Sequence, residues 1–427
     1  MTRKMKDSGV EWIGMIPDGW NTFSAFQIFS RVDCKNVGVK ERNLLSLSYG
    51  RIKRKDIESA DGLLPESFEG YNIIEAGDIV LRLTDLQNDQ KSLRVGYSRE
   101  RGIVTSAYLT IRNNSDNVPE YLYYYWHTFD ICKGFYGLGA GVRQGLNWEG
   151  LKNLRIALPL PSVQNKIVEL LNKQCAAIDD VIDKTNESIE EYKKLKQAVI
   201  TEAVTKGVRG KRPMKDSGFD WIGQIPKDWR VCKLKNFVEI TDGTHDSPLF
   251  VECDDDTYPL VTSRCIVNGE IDVSLANHIS EADFVSIDKR SHVSLHDVIM
   301  PMIGTVGNPA IVNVDFPIAI KNVALFRTKN DVVKAKFLKF MLSSTIIEEQ
   351  FHFLNRGGVQ SFVSQDILKN LIMPLPNEID EIVCYLDKKC SAIDTLISKK
   401  QQFIDELTAY KKSLIYEYVT GKKEVPA

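Results

Sequence analysis

Basic side chains that could bind an anion are gathered in two short stretches of the first half of the chain. The segment YGRIKRK carries Arg51, Lys53 and Arg54, and Arg82 lies in the strand-like segment VLRLTDLQ. Lysine and arginine neutralise phosphates, and arginine can also donate to guanine edges in the major groove. These residues predict a local contact with nucleic acid, although a solvated surface loop has the same composition.

The second half of the chain carries a polar cluster of a different kind. The segment TDGTHDSP contains Thr244 and His245, and the segment VTSRCIVNG contains Ser263 and Arg264. Hydroxyl, amide and guanidinium side chains are the groups that contact base edges in the major groove. We therefore predict a second contact with DNA here.

Two glycine-containing segments, GLGAGVRQG at 137–145 and RGGVQS at 356–361, invite a cofactor interpretation. A dinucleotide or S-adenosylmethionine loop should follow a strand and open a helix. The first segment follows a helix-like aromatic stretch instead, and the second lacks the Gly-x-Gly core. We interpret both as turns beside the contact surfaces, which adds Arg143, Gln144 and Gln360 to the candidate DNA-binding residues.

Residue patterns that support catalysis are missing from the sequence. It contains no GxxxxGK[ST] phosphate loop, no HExxH zinc motif and no aspartate–proline–proline–tyrosine tetrad of a methyltransferase. His292 and His296 are four residues apart, but they lie in a strand-like stretch where this spacing does not form a helical chelate. We expect no catalytic, cofactor or metal site in this chain.

The composition excludes several classes of protein. The chain has 427 residues, enough for two to four domains, and its net charge of −2 requires any nucleic-acid site to be a local patch. Eight cysteines without a CxxC pair favour reduced thiols over a disulfide framework or a zinc site. The first residues lack the apolar core of a signal peptide, and no apolar run is long enough to span a membrane. We expect a cytoplasmic protein with no membrane association.

An internal repeat determines how the candidate residues are placed along the chain. The phrase KDSGVEWIGMIPDGW at 6–20 recurs as KDSGFDWIGQIPKDW at 215–229, with ten of fifteen positions identical. LKNLRIALPLP at 151–161 recurs as LKNLIMPLP at 368–376. The segments between these anchors diverge and have strand-like runs punctuated by turns. The plan is therefore a variable mixed α/β domain and a shared helix, written twice.

The repeated phrase also contains an apolar set of its own. Trp12, Ile13, Ile16 and Trp20 lie within nine residues of each other. Large apolar side chains of this kind pack more often than they catalyse. We predict that each copy of the phrase packs near a helix end or against a partner subunit.

The two shared segments predict long helices. Residues 162–206 and 377–420 contain no proline or glycine, and their apolar residues match at an offset of 215 with a spacing of roughly 3.5 residues. Each helix of about 44 residues would be roughly 65 Å long and could not bury its apolar stripe alone. We predict that the two stripes pack antiparallel. The residues predicted at this interface are Ile167, Leu171, Ile178, Leu195, Ile382, Leu386, Ile393 and Leu407.

The predicted fold class is α/β (α+β), with two globular mixed α/β domains separated by two long antiparallel coiled-coil helices in a pseudo-twofold repeat. The predicted domains are 1–157, including the shared segment 1–20, then 158–210 for the first helix, 211–372 for the second variable domain and 373–427 for the second helix.

This arrangement resembles the specificity subunit of type I restriction–modification systems. The resemblance is carried by the doubled WIG-x-IP-x-x-W element at 12–20 and 221–229, by DGTH at 242–245, by DVIMPMIGTVGNPAIV at 297–312 and by GGVQSFVSQDILKNLIMPLP at 357–376. It covers essentially the whole chain. The first variable domain departs from the family's pattern because it has no DGTH element, so its DNA-contacting positions are harder to assign.

The resemblance implies a non-catalytic subunit that recognises a DNA sequence. Each variable domain, a target-recognition domain, would bind one half of a bipartite double-stranded site, and the helical pair would set the spacing between the halves. Two methyltransferase (modification) subunits would dock on the helices, and restriction (translocase) subunits could join them. The resemblance also implies that S-adenosylmethionine, ATP and Mg²⁺ are bound by these partners, not by this chain.

Two other functions stay open at this stage. A self-contained DNA methyltransferase or nuclease would need a cofactor loop and an acidic metal site in this chain. A scaffold whose doubled domains bind proteins would retain no DNA in a sequence-selective way, even with its partners present.

Overall fold

The computed structural model describes residues 3–58, 67–89, 91–138, 145–304, 306–354 and 362–426. The chain divides into two compact units. The first unit comprises Met1–Thr185 with Gln402–Ala427, and the second comprises Asn186–Gln401. The predicted domain boundaries gave each long helix a domain of its own. The contacts instead divide both helices between the units, because each half of a helix packs on the globular part of its own unit.

The first unit is built around a four-stranded antiparallel sheet. Its strands Phe29–Arg31, Leu109–Asn113, Ile79–Leu81 and Val95–Tyr97 lie side by side in that order. The third strand is a continuous apolar run and is buried over its whole length. The helix Pro119–Ile131 has proline at its first position, where no backbone donor is needed, and packs against the fourth strand. The unit's other short elements are the helices Ala25–Ile28 and Trp148–Leu151 and the strands Met5–Asp7, Met15–Pro17, Asn21–Ser24, Leu45–Ser48, Arg51–Arg54, Asn72–Ile74, Gly102–Val104 and Arg155–Leu158.

The second unit repeats this sheet with the same strand order. Glu239–Asp242, Val323–Arg327, Val298–Pro301 and Ala310–Ile311 take the places of the four strands of the first unit. A three-stranded sheet packs against the helix Glu281–Ser291 beside it. The three strands of that sheet, in spatial order, are Asn277–Ser280, Thr257–Val261 and Ala319–Ile320. The remaining elements are the strands Met214–Asp216, Gln224–Pro226, Arg230–Lys233, Ile266–Val267, Glu270–Ile271 and Ile372–Leu375, the α-helices Val332–Leu342, Thr345–Leu354 and Gln365–Asn370, and the 3₁₀ turns Leu234–Asn236, Ser263–Cys265 and Val273–Leu275.

Two long helices, Pro161–Lys206 and Ile379–Val419, confirm the predicted shared helices and the predicted fold class. They end just before Gly207 and Gly421, whose φ angles of 76° and 70° are the left-handed conformation that commonly terminates helices. Among the described residues, no helix has the length and apolar character needed to cross a membrane.

The two helices run antiparallel within each unit. In the first unit Lys411 Nζ donates to Asp179 Oδ1 at 2.6 Å, and in the second unit Lys196 Nζ donates to Asp394 Oδ1 at 2.7 Å. An early residue of one helix thus pairs with a late residue of the other in both cases. The two ion pairs are equivalent, because each residue is displaced by 215 positions from its counterpart. The helix pairing therefore repeats in the same register in both units.

Six of the eight predicted interface residues are buried, and Leu407 and Leu195 are not. Leu407 is partly buried within the core of the first unit. Leu195 is 49% exposed, which contradicts its placement at the interface. The less exposed positions run from Tyr192 through Lys196 to Ile200 in steps of four, so Leu195 lies one residue off this seam. A fixed 3.5-residue period accumulates this error because an uncoiled α-helix has 3.6 residues per turn. The six buried members are Ile167, Leu171, Ile178, Ile382, Leu386 and Ile393.

The repeated phrase forms the same two-stranded hairpin in both units and packs near a helix end, as predicted. In the first unit Trp20 is buried against the turn that ends the second long helix. A Cβ atom added to Gly421 would lie 2.9 Å from this indole and 2.6 Å from Pro17, so glycine is required there for close approach. In the second unit the buried Trp229 lies beneath the guanidinium of Arg212, 5.0 Å from the ring centroid.

We predict that Leu386→Ala lowers the stability of the second unit by about 2–5 kcal/mol, because it empties a fully buried site on the seam. Leu195→Ala is the matched control on the other helix, and it should cost less than about 1 kcal/mol because this leucine is half exposed. Thermal unfolding followed by circular dichroism checks both. Equal losses for the two variants would contradict the seam described above.

Candidate nucleic-acid interface

The basic cluster of the first unit lies on a β-hairpin. Strand Leu45–Ser48 pairs with strand Arg51–Arg54, and the two residues between them, Tyr49 and Gly50, have φ angles of 48° and 75°. Two successive positive φ angles are typical of the tight turn that suits the twist of a hairpin. The turn presents Tyr49, which is 81% exposed, beside a strand whose arginine and lysine side chains are exposed.

The candidate arginines of this hairpin already have carboxylate partners. Arg54 donates to Glu100 through Nε at 2.8 Å and through Nη2, and these bonds hold the pKa of Glu100 below its usual value. Arg51 Nη2 lies 3.6 Å from Asp179 Oδ2. Exposed ion pairs of this kind contribute little net stability, so a phosphate can compete for either arginine.

Arg82 is bound more tightly into the structure. Its Nη2 donates to Asp89 Oδ2 at 2.9 Å, and both side chains are about one third exposed or less. Asp89 also accepts from the backbone of Ser92 and Lys91, and these hydrogen bonds lower its pKa to about 2. Arg82 therefore holds the loop that follows the strand Ile79–Leu81. The sequence pattern did not indicate this structural role.

In the second unit the DGTH segment forms a network centred on Asp242. The carboxylate faces His245 Nε2 at 3.0 Å and accepts from Arg290 Nη2 at 2.8 Å. On the other side of the ring, His245 Nδ1 lies 2.9 Å from Asn322 Oδ1. Both ring nitrogens face oxygen acceptors, so the arrangement favours an imidazolium that donates in both directions.

The charges in this network shift two pKa values in opposite directions. The hydrogen bond to Asn322 and then that to Asp242 raise the pKa of His245 above its ordinary value. Burial would raise the pKa of Asp242, but the hydrogen bonds from Arg290 and His245 outweigh it and leave the pKa lowered. The three charged groups carry a net charge of one positive unit when His245 is protonated, which suits contact with a phosphodiester.

Thr244 is a structural residue of this segment. It is only 8% exposed, its Oγ1 accepts from the backbone of Asp246 at 3.1 Å, and its own N–H donates to Ile320 O at 3.0 Å. The structure therefore contradicts its assignment as a base-contacting residue, because its hydroxyl is turned inward to shape the turn. A threonine two residues before an aspartate is a local turn signal, which was available in the sequence.

Ser263 and Arg264 lie on the 3₁₀ turn Ser263–Cys265 beside the same network. Arg264 is exposed and its Nη2 donates to Asn277 Oδ1 at 2.9 Å. A shallow cavity of about 180 Å³ joins this turn to the His245 network through shared lining residues. Its lining is Phe250, Leu260, Thr262, Ser263, Asn277, Ile303, Lys321 and Asn322.

The structure thus brings His245, Ser263 and Arg264 into one polar patch of the second unit. Asp242, Arg290 and Asn322 also belong to this patch, and the sequence pattern did not identify them as contact residues. Asn322 has a left-handed φ of 56°, a conformation that cannot be deduced from a single sequence, so the sequence held no signal for it. The predicted residues Arg143, Gln144 and Gln360 lie outside the described residues.

The chain is similar to known proteins over much of its length. Residues 226–406 match the model of a family described as the type I restriction modification DNA specificity domain. The type I restriction enzyme MjaVIII specificity subunit of Methanocaldococcus jannaschii is 24% identical over 305 residues, which are 70% of this chain and 69% of that protein. A second protein of that organism, provisionally named the MjaX specificity subunit, is 22% identical over 90% of this chain and 89% of its own.

One solved structure shares the fold over nearly the whole chain. It comes from work on complex assembly and conformational transition of the type I restriction–modification system. It superposes with a TM-score of 0.68 at 16% identity and covers 96% of this chain and 99% of that chain. At this identity the likeness concerns the fold.

We predict that histidine proton resonances will show the pKa of His245 above its ordinary value, and that Asp242→Asn will lower this pKa by removing the carboxylate charge beside Nε2. Because the folded pKa is raised, the stability contributed by His245 is fully present below the unfolded pKa and is lost as the pH rises through the folded value. Asp242→Asn should reduce that pH dependence. The His245→Gln variant assigns the resonance, and a His245 pKa in the wild-type protein that is not raised above the ordinary histidine value would contradict the network.

Proposed function

Because this chain belongs to the family of type I restriction–modification specificity subunits and is a DNA sequence-recognition subunit, we propose that each unit binds one half of a bipartite double-stranded site. The observation that carries this proposal is a common sheet with different surface groups. Both units have the same four-strand order. One exposes a basic hairpin with Tyr49, whereas the other exposes the polar patch around His245. Two half-sites of different sequence require this combination.

The helical pair offers two equivalent surfaces for partner subunits. Val181 and Leu396 are 40% and 41% exposed, and Leu195 and Tyr410 are 49% and 55% exposed. The members of each pair are 215 positions apart, as are the residues of the seam. Each unit therefore carries one exposed apolar pair of the same kind, Val181 with Tyr410 in the first and Leu396 with Leu195 in the second. We propose that two methyltransferase subunits dock there, one on each unit.

The chemistry belongs to those partners in this proposal. The sequence has no catalytic motif, and the family supplies recognition to a larger complex. We propose that the methyltransferase subunits bind S-adenosylmethionine and that restriction subunits, where they join, bind ATP and Mg²⁺. The whole complex would act on DNA in the cytoplasm, with the helical pair setting the gap between the two half-sites.

A methylation map tests the recognition function. We would co-express this chain with its methyltransferase subunit and sequence the host DNA by a method that reports modified bases. We expect one two-part motif with a fixed gap. Replacing residues 21–150 by the segment of another specificity subunit should change only one half of that motif. Absence of new methylation, with both proteins associated, would favour the protein-binding scaffold.

Charge substitutions on the exposed apolar pairs test the docking surfaces. The double variant V181E/Y410E should remove one methyltransferase copy from the complex, and L195E/L396E should remove the other, because each places carboxylates in one desolvated contact. Native mass spectrometry gives the stoichiometry, with two copies expected for the unmodified chain. Leu275→Glu, at a leucine that is 40% exposed on a short turn, is the matched control and should keep both copies. Two copies retained by both double variants would refute this placement.

A further inference from the structure

We infer that residues 82–89, called here the base-contacting loop, contact bases of the half-site bound by the first unit, and that Arg94 is the residue that positions this loop. The inference rests on the proposed function and goes beyond it by naming the element that discriminates bases. The loop follows the buried strand Ile79–Leu81, and Arg94 precedes the neighbouring strand Val95–Tyr97.

Arg94 is fully buried, with 0% of its surface exposed. Its guanidinium Nη1 donates to the carbonyl oxygens of Arg82 at 3.1 Å and Thr84 at 2.8 Å. Nη2 donates to the carbonyl oxygens of Asp85, at 3.2 Å, and Asp89. One arginine side chain thus binds four carbonyl groups of an eight-residue loop.

The remaining contacts of Arg94 tie it to the core of the unit. Its Nε donates to Tyr136 Oη at 3.1 Å, so all five guanidinium donors can be satisfied. Its backbone N–H donates to Asp130 Oδ2 at 2.6 Å. A buried guanidinium is tolerated only with this degree of hydrogen bonding, because an unpaired buried charge is very costly. The same bonds hold the loop in one conformation before any partner binds.

The loop conformation itself needs this support. Asp85 has a φ of 57°, a left-handed backbone conformation that residues other than glycine seldom adopt. Counting on from the equivalent strands Ile79–Leu81 and Val298–Pro301, Asp85 corresponds to Gly304 in the internal repeat, and that glycine also has a positive φ, of 79°. Glycine adopts a positive φ readily, whereas at Asp85 the bond from Arg94 to its carbonyl oxygen stabilises this conformation. Leu83 and Leu86 anchor the loop, being 2% and 1% exposed.

The groups that the loop exposes are suited to contact base edges. Thr84, Gln87 and Asn88 are exposed, whereas the two leucines of the loop are buried. Glutamine and asparagine can make paired hydrogen bonds with adenine, and threonine can contact several bases. Asn88 Nδ2 donates to Asp85 Oδ1 at 2.7 Å, which orients its amide. Neutral polar groups on a rigid loop contribute discrimination between bases, since phosphate neutralisation needs lysine or arginine.

The test uses the complex with the methyltransferase subunit and a panel of duplexes in which each base of each half-site is replaced in turn. Methylation rates on the panel give the discrimination at every position. Gln87→Ala and Asn88→Ala should each lower discrimination by about 10- to 100-fold at one or two positions of a single half-site. The other half-site should be unaffected. Asn114→Ala, at an exposed asparagine of the same unit outside the loop, is the control and should change no position.

Arg94→Lys tests the positioning role. Lysine keeps the charge but presents three donors from one atom, so it cannot hold four separate carbonyl groups. We expect the positions affected by the Gln87 and Asn88 variants to lose discrimination together, while the second half-site is still recognised. A loss of thermal stability without this change in base discrimination would show that Arg94 is only structural and would overturn its assignment.

The remaining outcomes separate the inference from the proposed function. If the unmodified complex methylates a bipartite motif but Gln87→Ala and Asn88→Ala leave every position within about twofold, the inference fails and the proposed function stands. A uniform loss over all duplexes would assign the loop to phosphate contact and would also overturn the inference. An unmodified complex that methylates no bipartite motif would refute the proposed function, and the inference with it.

Discussion

The structure depends on the burial of two apolar stripes, each on a helix of more than forty residues that cannot cover its own stripe. The chain covers them by carrying the same stripe twice, so that the helices bury each other's apolar residues within each unit. The equivalent ion pairs Lys411–Asp179 and Lys196–Asp394 are partly exposed and add little stability. They matter for register, because a shift of one turn would separate both pairs at once.

This constraint explains which parts of the chain are alike and which differ. The helix seam, the hairpin of the repeated phrase and the four-strand sheet recur in both units because they bury apolar surface against one another. The exposed side chains on that framework do not bury apolar surface, so their identity is not fixed by packing. At corresponding positions of the repeat, Asp85 has a positive φ with its carbonyl bound by Arg94, whereas Gly304 has a positive φ as a glycine. Divergence at these positions therefore leaves the framework intact.

The sequence predicted the long helices, their antiparallel pairing and the doubled mixed α/β plan, because periodicity and repetition are local properties that a single chain displays. It misplaced Leu195, since a 3.5-residue period drifts by one residue along a helix of this length. It also treated arginines as exposed cations. Arg82 and Arg54 are bound to carboxylates that lie 7 and 46 positions away, and Arg94 is buried by carbonyl groups that no side-chain pattern reveals. Such long-range partners arise only in the folded chain.

The ion pairs that these arginines already form affect how the protein recognises DNA. With a net charge of −2 and several arginines already paired with aspartate or glutamate, a phosphate gains only the difference between two ion pairs. Non-specific attraction, which comes from counterion release, is therefore weak for this chain alone. Discrimination by rigid polar groups does not suffer this loss, since neutral amides and hydroxyls exchange water for a base edge. A chain of this charge can therefore separate recognition of bases from overall affinity for DNA.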